Sequence, residues 1–229
     1  MLFATKLGNF VTYCGCCFVT FKLFLFKISN MKNFIVFAVL FVFNFCFSQS
    51  KFAKSDVGKF QKTINSEYAD PKTSPLMEAD LKTFKTLDFY PVNSKYFVNA
   101  KFVKAENEKV FEMKTTGTRT PKYIKYGTLY FTLDGVKLKL NVYRNIDLSK
   151  TEEYKDHLFL PFSDLTSGKE SYIGGRYIDL KIPKGKTIAV DFNQAYNPYC
   201  AYNHKYSCPL VPLENDLKVE IKAGVKTFH

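Results

Sequence analysis

The strongest constraint on the fold is a stretch of alternating apolar and polar residues on both sides of a two-residue turn. Asp134-Gly135 lies at its centre, and the apolar positions are Leu129, Phe131, Leu133, Val136, Leu138, Leu140 and Val142. A period of two predicts β-strands, and Asp-Gly favours a type I′ turn between them. The pattern therefore predicts an antiparallel hairpin with one apolar face, which needs a second layer of structure to cover it.

The same period of two recurs along much of the chain. Strands are predicted over residues 96–103, 110–114, 123–133, 136–143, 157–161, 172–182, 187–191 and 217–223. Because the clearest pair is an antiparallel hairpin, we expect the other strands to pair in the same way. The predicted fold is mainly β, an antiparallel sandwich or barrel-like domain with two short N-terminal helices.

Both helices are predicted from apolar residues at helical spacing. The first begins behind Ser55 and Asp56, ends at Asp70-Pro71 and carries an apolar stripe of Val57, Phe60, Ile64 and Tyr68. The second begins with Ser74 as its cap and ends near Thr86, with Leu81 and Phe84 toward the core. We expect these helices to cover one end or edge of the sheet.

The first 48 residues differ in composition from the rest, since they contain 12 of the 24 Phe and no Asp or Glu. Residues 31–48 have the pattern of a signal peptide, with a basic start, an apolar run at 34–47 and a small-x-small site before Gln49. The apolar run is short for a membrane span. This predicts cleavage without a stable membrane anchor, and a single β-rich domain over 49–229 that is exported to the periplasm or the extracellular space.

Residues 1–30 fit this pattern poorly, and two explanations stay open. They contain another apolar stretch at 18–28, interrupted by Lys22 and Lys27. Translation starting at Met31 would make them a mis-assigned start. Alternatively, they form an N-terminal extension with both apolar segments in the membrane. The signal-peptide pattern restarts at Met31, which favours the first explanation.

Charge and cysteine content restrict the possible partners and cofactors. Beyond the leader, 29 Lys and Arg face 21 Asp and Glu with no long basic run, which predicts a solvated surface and no nucleic-acid partner. Cys200 and Cys208 are the two cysteines left, within a predicted loop at 193–215. In an oxidising compartment they predict one disulfide. A zinc trio with His204 is the alternative, but the compartment favours the disulfide, so no metal or cofactor is predicted.

The same loop carries a family resemblance. Asp191 to Tyr202, with Cys208-Pro209 and the Pro-Leu-Glu-Asn of 212–215, resembles the carboxy-terminal signature of a bacterial family called domain of unknown function 1684. Residues 160–168 and 174–177 look like its central motifs. The resemblance runs from about Leu76 to Ala223, and it departs from the family pattern at Tyr199 and at Val225-Lys226. It implies a shared fold and a shared site, but no activity.

Polar residues are concentrated in these motif segments, and they form the candidate site. The candidate ligand-binding residues are Thr166, Arg176, Tyr177, Asn193, Tyr196, Asn197 and Asn215, and the candidate catalytic residues are Asp164, Asp191 and Glu214. If the strands that bear them are neighbours, their ends form one polar pocket. Arg176 could then hold a carboxylate or phosphate through two parallel hydrogen bonds.

Three functions remain open at this point. The leading hypothesis is binding of a small polar or anionic ligand near Arg176 and Asp191. The second is a hydrolase that uses two of the three carboxylates, which requires a definite separation between them. The third is a structural or protein-interaction domain, in which Arg176 simply pairs with Asp164 or Asp191. Serine-hydrolase chemistry is disfavoured because no Gly-x-Ser-x-Gly segment is present and no histidine lies in the motifs.

Overall fold

The computed structural model describes residues 50–229, and its main element is one antiparallel sheet. Its strands are β1 (Phe97–Lys104), β2 (Phe111–Glu112), β3 (Lys122–Leu133), β4 (Val136–Asn145), β5 (His157–Phe162), β6 (Arg176–Lys181) and β7 (Thr187–Asp191). The order is β6-β5-β4-β3-β1-β7, with β2 paired to β3. The mainly β, antiparallel prediction is confirmed. The sheet curls into a half-barrel, and the described residues contain no second sheet that would make a sandwich.

The predicted hairpin is formed by β3 and β4. Leu129 faces Leu140 and Phe131 faces Leu138 across the strands. Asp134 and Gly135 have φ values of 48° and 79°, as a type I′ turn requires. Five of the seven alternating apolar residues are buried and Leu138 packs against the core, whereas Val136, beside the turn, is exposed. The inner face of the half-barrel holds the main hydrophobic core.

Only one of the two predicted helices is long. Helix α1 spans Lys54–Ala69, and α2 spans Glu78–Thr83, which is six residues. The second prediction is therefore correct only in part. Ser74 does not cap a helix: its hydroxyl donates to Tyr68 O and accepts from Leu76 N, so it closes a turn after α1. Among residues 50–229 there is no helix of sufficient length and apolar character to cross a membrane.

Helix α1 packs on a separate cluster of buried side chains. Ile64 and Tyr68 from α1 meet Leu87, Tyr202 and Val225 from distant parts of the chain. These partners come from the segment before the sheet and from the C-terminal loop. The helix is thereby held beside the loop that follows β7. In this loop, turns and three short 3₁₀ segments replace regular structure: Phe192–Gln194, Tyr199–Ala201 and Leu213–Asn215.

The strand predicted at 217–223 is absent from the structure. Leu217 N donates to Ser163 O and Leu165 N donates to Val219 O, and these are its only sheet-like bonds among the described residues. Beyond them, the Asp164 side chain accepts from Ile221 N. The alternation of buried residues survives, but a side chain takes the place of a neighbouring strand. The signal-peptide and leader predictions concern residues 1–48, which lie outside the described residues.

Candidate functional site

A buried ion pair joins two of the predicted site residues. Arg176 begins β6, and its Nη2 lies 2.8 Å from Asp164 Oδ2. The side chains are 1% and 0% exposed. Gly175 precedes the arginine with φ of 83°, and a Cβ there would lie 2.5 Å from Phe162 O, so glycine permits the close approach of the two chain segments. Burial lowers the pKa of Arg176, and the neighbouring Asp164 opposes that shift.

The remaining hydrogen bonds of Arg176 and Asp164 are also made to groups of the protein. The guanidinium donates to Ile221 O over 2.8 Å and to Ala223 O. Asp164 Oδ1 accepts from Thr166 N over 2.9 Å and from its hydroxyl over 2.5 Å. A charge can remain buried when its hydrogen bonds are satisfied in this way. The pair ties the C-terminal segment to the sheet and leaves the guanidinium enclosed by protein.

Asp191 and Asn193 form a second hydrogen-bonded group. Asp191 Oδ1 accepts from Asn193 N over 3.1 Å and from Asn193 Nδ2 over 2.7 Å. The Asn193 side chain also bonds to both backbone groups of Asn93, at 2.9 and 3.0 Å. Asp191 therefore orients an asparagine that clamps the segment before β1, which is an arrangement that holds the fold together.

Glu214 and Asn215 form a third group, beside β4. The Asn215 side chain bonds to both backbone groups of Asn141, at 2.8 Å each, and donates to Pro161 O over 2.6 Å. The Asn215 side chain therefore bridges β4 and β5 two residues along each strand from their paired residues, Tyr143 and Phe159. Glu214 is exposed and accepts a hydrogen bond of 2.9 Å from the Tyr143 hydroxyl. Asn197 Nδ2 donates to Lys226 O, near the C-terminus.

The predicted site thus divides into separate groups. Among the described residues, no hydrogen bond links Asp164, Asp191 or Glu214 to one another. Most of the predicted residues bond to backbone groups far away in sequence. The ligand-binding and catalytic roles of these residues stay predictions. The structure supplies at least one protein partner for each of their side chains, although Asn197 Oδ1 is buried without a partner among the described residues.

A different polar group, of which the sequence indicated only Tyr196, is centred on β5 and β6. Asp179 Oδ1 lies 2.7 Å from His157 Nε2, and Asp179 Oδ2 accepts a hydrogen bond of 2.7 Å from the Tyr196 hydroxyl. The Asp179 side chain is 52% exposed. Tyr196 is held in place because its backbone pairs with that of Tyr177 in β6. Burial raises the pKa of Tyr196, and the Asp179 carboxylate raises it further.

An open cavity of about 200 Å³ adjoins this group, between α1 and β6. We call it the α1–β6 cleft. Its aromatic lining consists of Phe60, Tyr68, Tyr196 and Tyr199, its acidic residues are Glu67 and Asp179, and Thr63 and Ile64 complete the wall. Tyr196 is the only predicted site residue that lines it. Asp179 could not be identified as a site residue from the sequence, because a polar residue in a strand ordinarily just faces solvent.

The two cysteines of the described region are buried free thiols. They are adjacent, since Cys200 N donates to Cys208 Sγ over 3.2 Å. A hydrogen bond from the Cys208 thiol lowers the pKa of Cys200, and the same contact raises the pKa of Cys208. The predicted disulfide is therefore not formed in this structure, although the two cysteines are adjacent. The described residues contain no cluster of three or more metal-ligating side chains.

The comparisons with known proteins identify a family without a described function. A family model described as "Protein of unknown function (DUF1684)" matches residues 82–226. An uncharacterized protein of Haloarcula marismortui, solved by solution NMR, is 32% identical with a TM-score of 0.60, over 76% of this chain and 93% of that chain. That organism is an archaeon, so proteins similar to this chain are not confined to bacteria. No curated protein matches. The chain belongs to the DUF1684 family.

Proposed function

We propose that the protein is an exported domain that binds a small polar ligand in the α1–β6 cleft. One observation carries the proposal. The cleft is the place where an ordered carboxylate, Asp179, meets open space and aromatic side chains. Small-molecule sites are typically concave and largely apolar, with a few polar groups that are fixed in position. The cleft has these properties, and the enclosed Arg176 does not.

The size of the cleft limits the ligand. Its volume of about 200 Å³ is below the range of about 300–1,000 Å³ that is usual for ligand sites, and it is open to solvent. It therefore suits a small molecule or one group of a larger one. Phe60 and Ile64 would contact its apolar part, while Asp179 would bind its polar part.

The carboxylate-pair hydrolase receives no support from the arrangement of its candidates. Asp164 is enclosed and binds Arg176, Thr166 and Ile221 N. Asp191 accepts from Asn193 and from Gln194. A general acid or base must reach the proton that it transfers, which the enclosed Asp164 does not. Glu214 is exposed, but it bonds to the Tyr143 hydroxyl and to neither of the other two carboxylates. Export rests on the sequence pattern of residues 31–48, which the structure does not describe.

A thermal-shift screen of the purified protein tests the proposal. The screen would include sugars, peptidoglycan fragments, organic acids, phosphates and amines, and it would be repeated with Tyr199→Ala. Tyr130→Ala is the matched control, because Tyr130 and Tyr199 are 47% and 43% exposed but only Tyr199 lines the cleft. A ligand at 100 times its Kd stabilises the folded state by about 2.7 kcal/mol, or about 5–10 °C for a domain of this size.

The expected result is a rise in Tm with one class of compound that persists in Tyr130→Ala and disappears in Tyr199→Ala. A rise that is unchanged in Tyr199→Ala would place the ligand elsewhere and contradict the proposal. So would a complete absence of shifts across the screen.

A further inference from the structure

The outward side of the sheet carries a straight row of exposed side chains across four strands. In the pairing register, Thr187 of β7 lies opposite Lys101 of β1. Lys101 in turn lies opposite Tyr130 of β3, and Tyr130 lies opposite Lys139 of β4. All four residues are exposed. Because neighbouring strands are about 4.8 Å apart, the two lysines lie about 10 Å apart along the backbone, with the tyrosine between them.

This surface is positively charged and lacks acidic residues. Lys137 is exposed on the same side of β4 as Lys139, two residues away. In the described part of the chain, neither of them forms an ion pair, and nor does Lys101. The protein has 21 Asp and Glu, but three adjoining strand segments contain none: residues 99–103, 128–132 and 137–141. We call the outward side of these segments the lysine face.

The tyrosine at the centre of the lysine face has an open ring. Tyr130 is 47% exposed. Within residues 50–229, its ring pairs with no other aromatic ring and with no cation. Tyrosine rings are common at binding surfaces because they combine a large apolar area with a polar hydroxyl. An exposed ring between two lysines can pack on a flat group that also carries negative charge.

The uncharged residues favour one class of anionic partner. Thr132 and Thr187 are exposed, and their hydroxyls can hydrogen-bond to the hydroxyls of a sugar. Binding to a lipid surface instead requires large apolar side chains that insert below the headgroups. Val103 is the only exposed aliphatic residue of the three segments. The lysine face therefore matches a polymer that has both hydroxyl groups and negative charges.

We propose that the lysine face binds an acidic polysaccharide, with Lys101, Lys137 and Lys139 as counter-charges and Tyr130 against a sugar ring. The polymer lies across the strands, along the row of exposed side chains. A surface without a deep groove suits a polymer, because weak contacts to successive units reinforce one another. None of these residues lines the α1–β6 cleft, so the inference goes beyond the proposed function and does not depend on it.

The test is calorimetric titration of the purified protein with matched probes. A short oligogalacturonate carries a carboxylate on each sugar, and its methyl ester has the same sugars without the charge. Poly-L-glutamate has the charge without the sugars, and a heparin oligosaccharide supplies sulfate groups. We expect at least one of the two acidic oligosaccharides to bind more tightly than the ester and poly-L-glutamate. Because exposed charges are screened by ions, this binding should weaken as salt is added.

Two triple variants assign the binding to the lysine face. Changing Lys101, Lys137 and Lys139 together to Gln should weaken binding of the acidic oligosaccharide at least about threefold, which is the lower end of what three exposed ion pairs contribute. The control lowers the net charge equally and should leave the affinity nearly unchanged. It makes the same change at three exposed lysines that precede the sheet and form no ion pair in the described part of the chain: Lys62, Lys72 and Lys85.

A single variant tests the contact with the sugar ring. Tyr130→Ala should weaken binding of the acidic oligosaccharide about threefold, since about 30 Å² of covered ring surface contributes that much. It should leave the affinity for poly-L-glutamate unchanged, because that polymer has no sugar ring to pack on the tyrosine.

The inference is overturned if neither acidic oligosaccharide binds, or if the two lysine triples weaken binding equally. Tighter binding of poly-L-glutamate or of phosphatidylglycerol vesicles than of either acidic oligosaccharide would assign the lysine face to a protein or a membrane, which also overturns it. These outcomes are separable from failure of the proposed function, because the test of the cleft depends on Tyr199 and not on the lysines.

Discussion

Replacing Arg176 by methionine tests whether its pair with Asp164 is a structural element. Methionine keeps an unbranched side chain, so the packing of the aliphatic part is largely retained. The change leaves the Asp164 carboxylate buried without its counter-charge and removes the donors to Ile221 O and Ala223 O. Loss of one partner of a buried ion pair costs about 3–5 kcal/mol, and each orphaned carbonyl adds about 1 kcal/mol or more.

Asp164 keeps three hydrogen bonds from Thr166 and Ile221, which moves the first figure toward its lower end. We therefore expect the free energy of unfolding to fall by about 4–6 kcal/mol in total. For a domain of this size, that corresponds to a fall in Tm of about 10–20 °C. Because small domains are stable by about 5–15 kcal/mol, the variant should be close to its folding limit.

The assay is denaturant unfolding followed by circular dichroism, with a double-variant cycle. Asp164→Asn combined with Arg176→Met removes both charges, so it should cost at least about 1 kcal/mol less than the sum of the two single changes. Arg119→Met is the control, since Arg119 donates to Ser207 O at an exposed position and should matter by less than about 1 kcal/mol. An Arg176→Met variant within 1 kcal/mol of the parent would refute the structural role, and it would return Arg176 to the ligand-binding role that its sequence motif suggested.

Two further predictions concern the thiols and the tyrosines. If the protein is exported, Cys200 and Cys208 should form a disulfide, which stabilises the folded state by about 2–3 kcal/mol in the chain-entropy account. Mass spectrometry of the intact mature protein, beginning at Gln49, should then give a mass two hydrogen atoms below that of the reduced form. The full reduced mass would contradict the prediction. At high pH, stability should fall, because burial raises the pKa values of Tyr68, Tyr143, Tyr177, Tyr196 and Tyr202. In the folded state these tyrosines keep their protons above pH 10, whereas tyrosines of the unfolded chain lose theirs there. Their contribution to stability is therefore complete below about pH 10. Above that pH it is lost at about 1.4 kcal/mol per pH unit for each tyrosine. Tyrosinate absorbance should therefore rise together with loss of circular dichroism, and a smooth ionisation near pH 10 in folded protein would exclude this explanation.

The elements that could be predicted from sequence are those whose cause is local. The β3–β4 hairpin follows from alternation around Asp134-Gly135, whose backbone angles the turn itself demands. Helix α1 follows from apolar residues at helical spacing, and Ile64 and Tyr68 are buried as that spacing predicts. The 217–223 segment shows the same alternation as a strand, yet it pairs with the Asp164 side chain. Alternation in the sequence predicts which residues are buried, but it does not predict which groups their backbone atoms hydrogen-bond to.

The polar motifs give a comparable lesson for the site. The sequence indicated that Asp164, Arg176, Asn193 and Asn215 matter, and each is buried and hydrogen-bonded. It could not indicate their partners, because Asn193 bonds to Asn93 across 100 positions and Asn215 to Asn141 across 74. A concentration of polar residues therefore predicted one pocket, whereas the folded chain distributes them as separate supports of the C-terminal region.

The α1–β6 cleft depends on tertiary structure alone. Its residues come from α1, from β6 and from the loop after β7, and each has an ordinary explanation in its own segment. Glu67 resembles any exposed helical carboxylate, and Asp179 resembles any outward-facing strand residue. By itself, the sequence determined the β-class, the hairpin, α1 and the family, because neighbouring residues decide periodicity and motifs. Only the folded chain decided which carboxylates meet which aromatic rings, because α1 lies more than a hundred residues before β6 and the loop after β7.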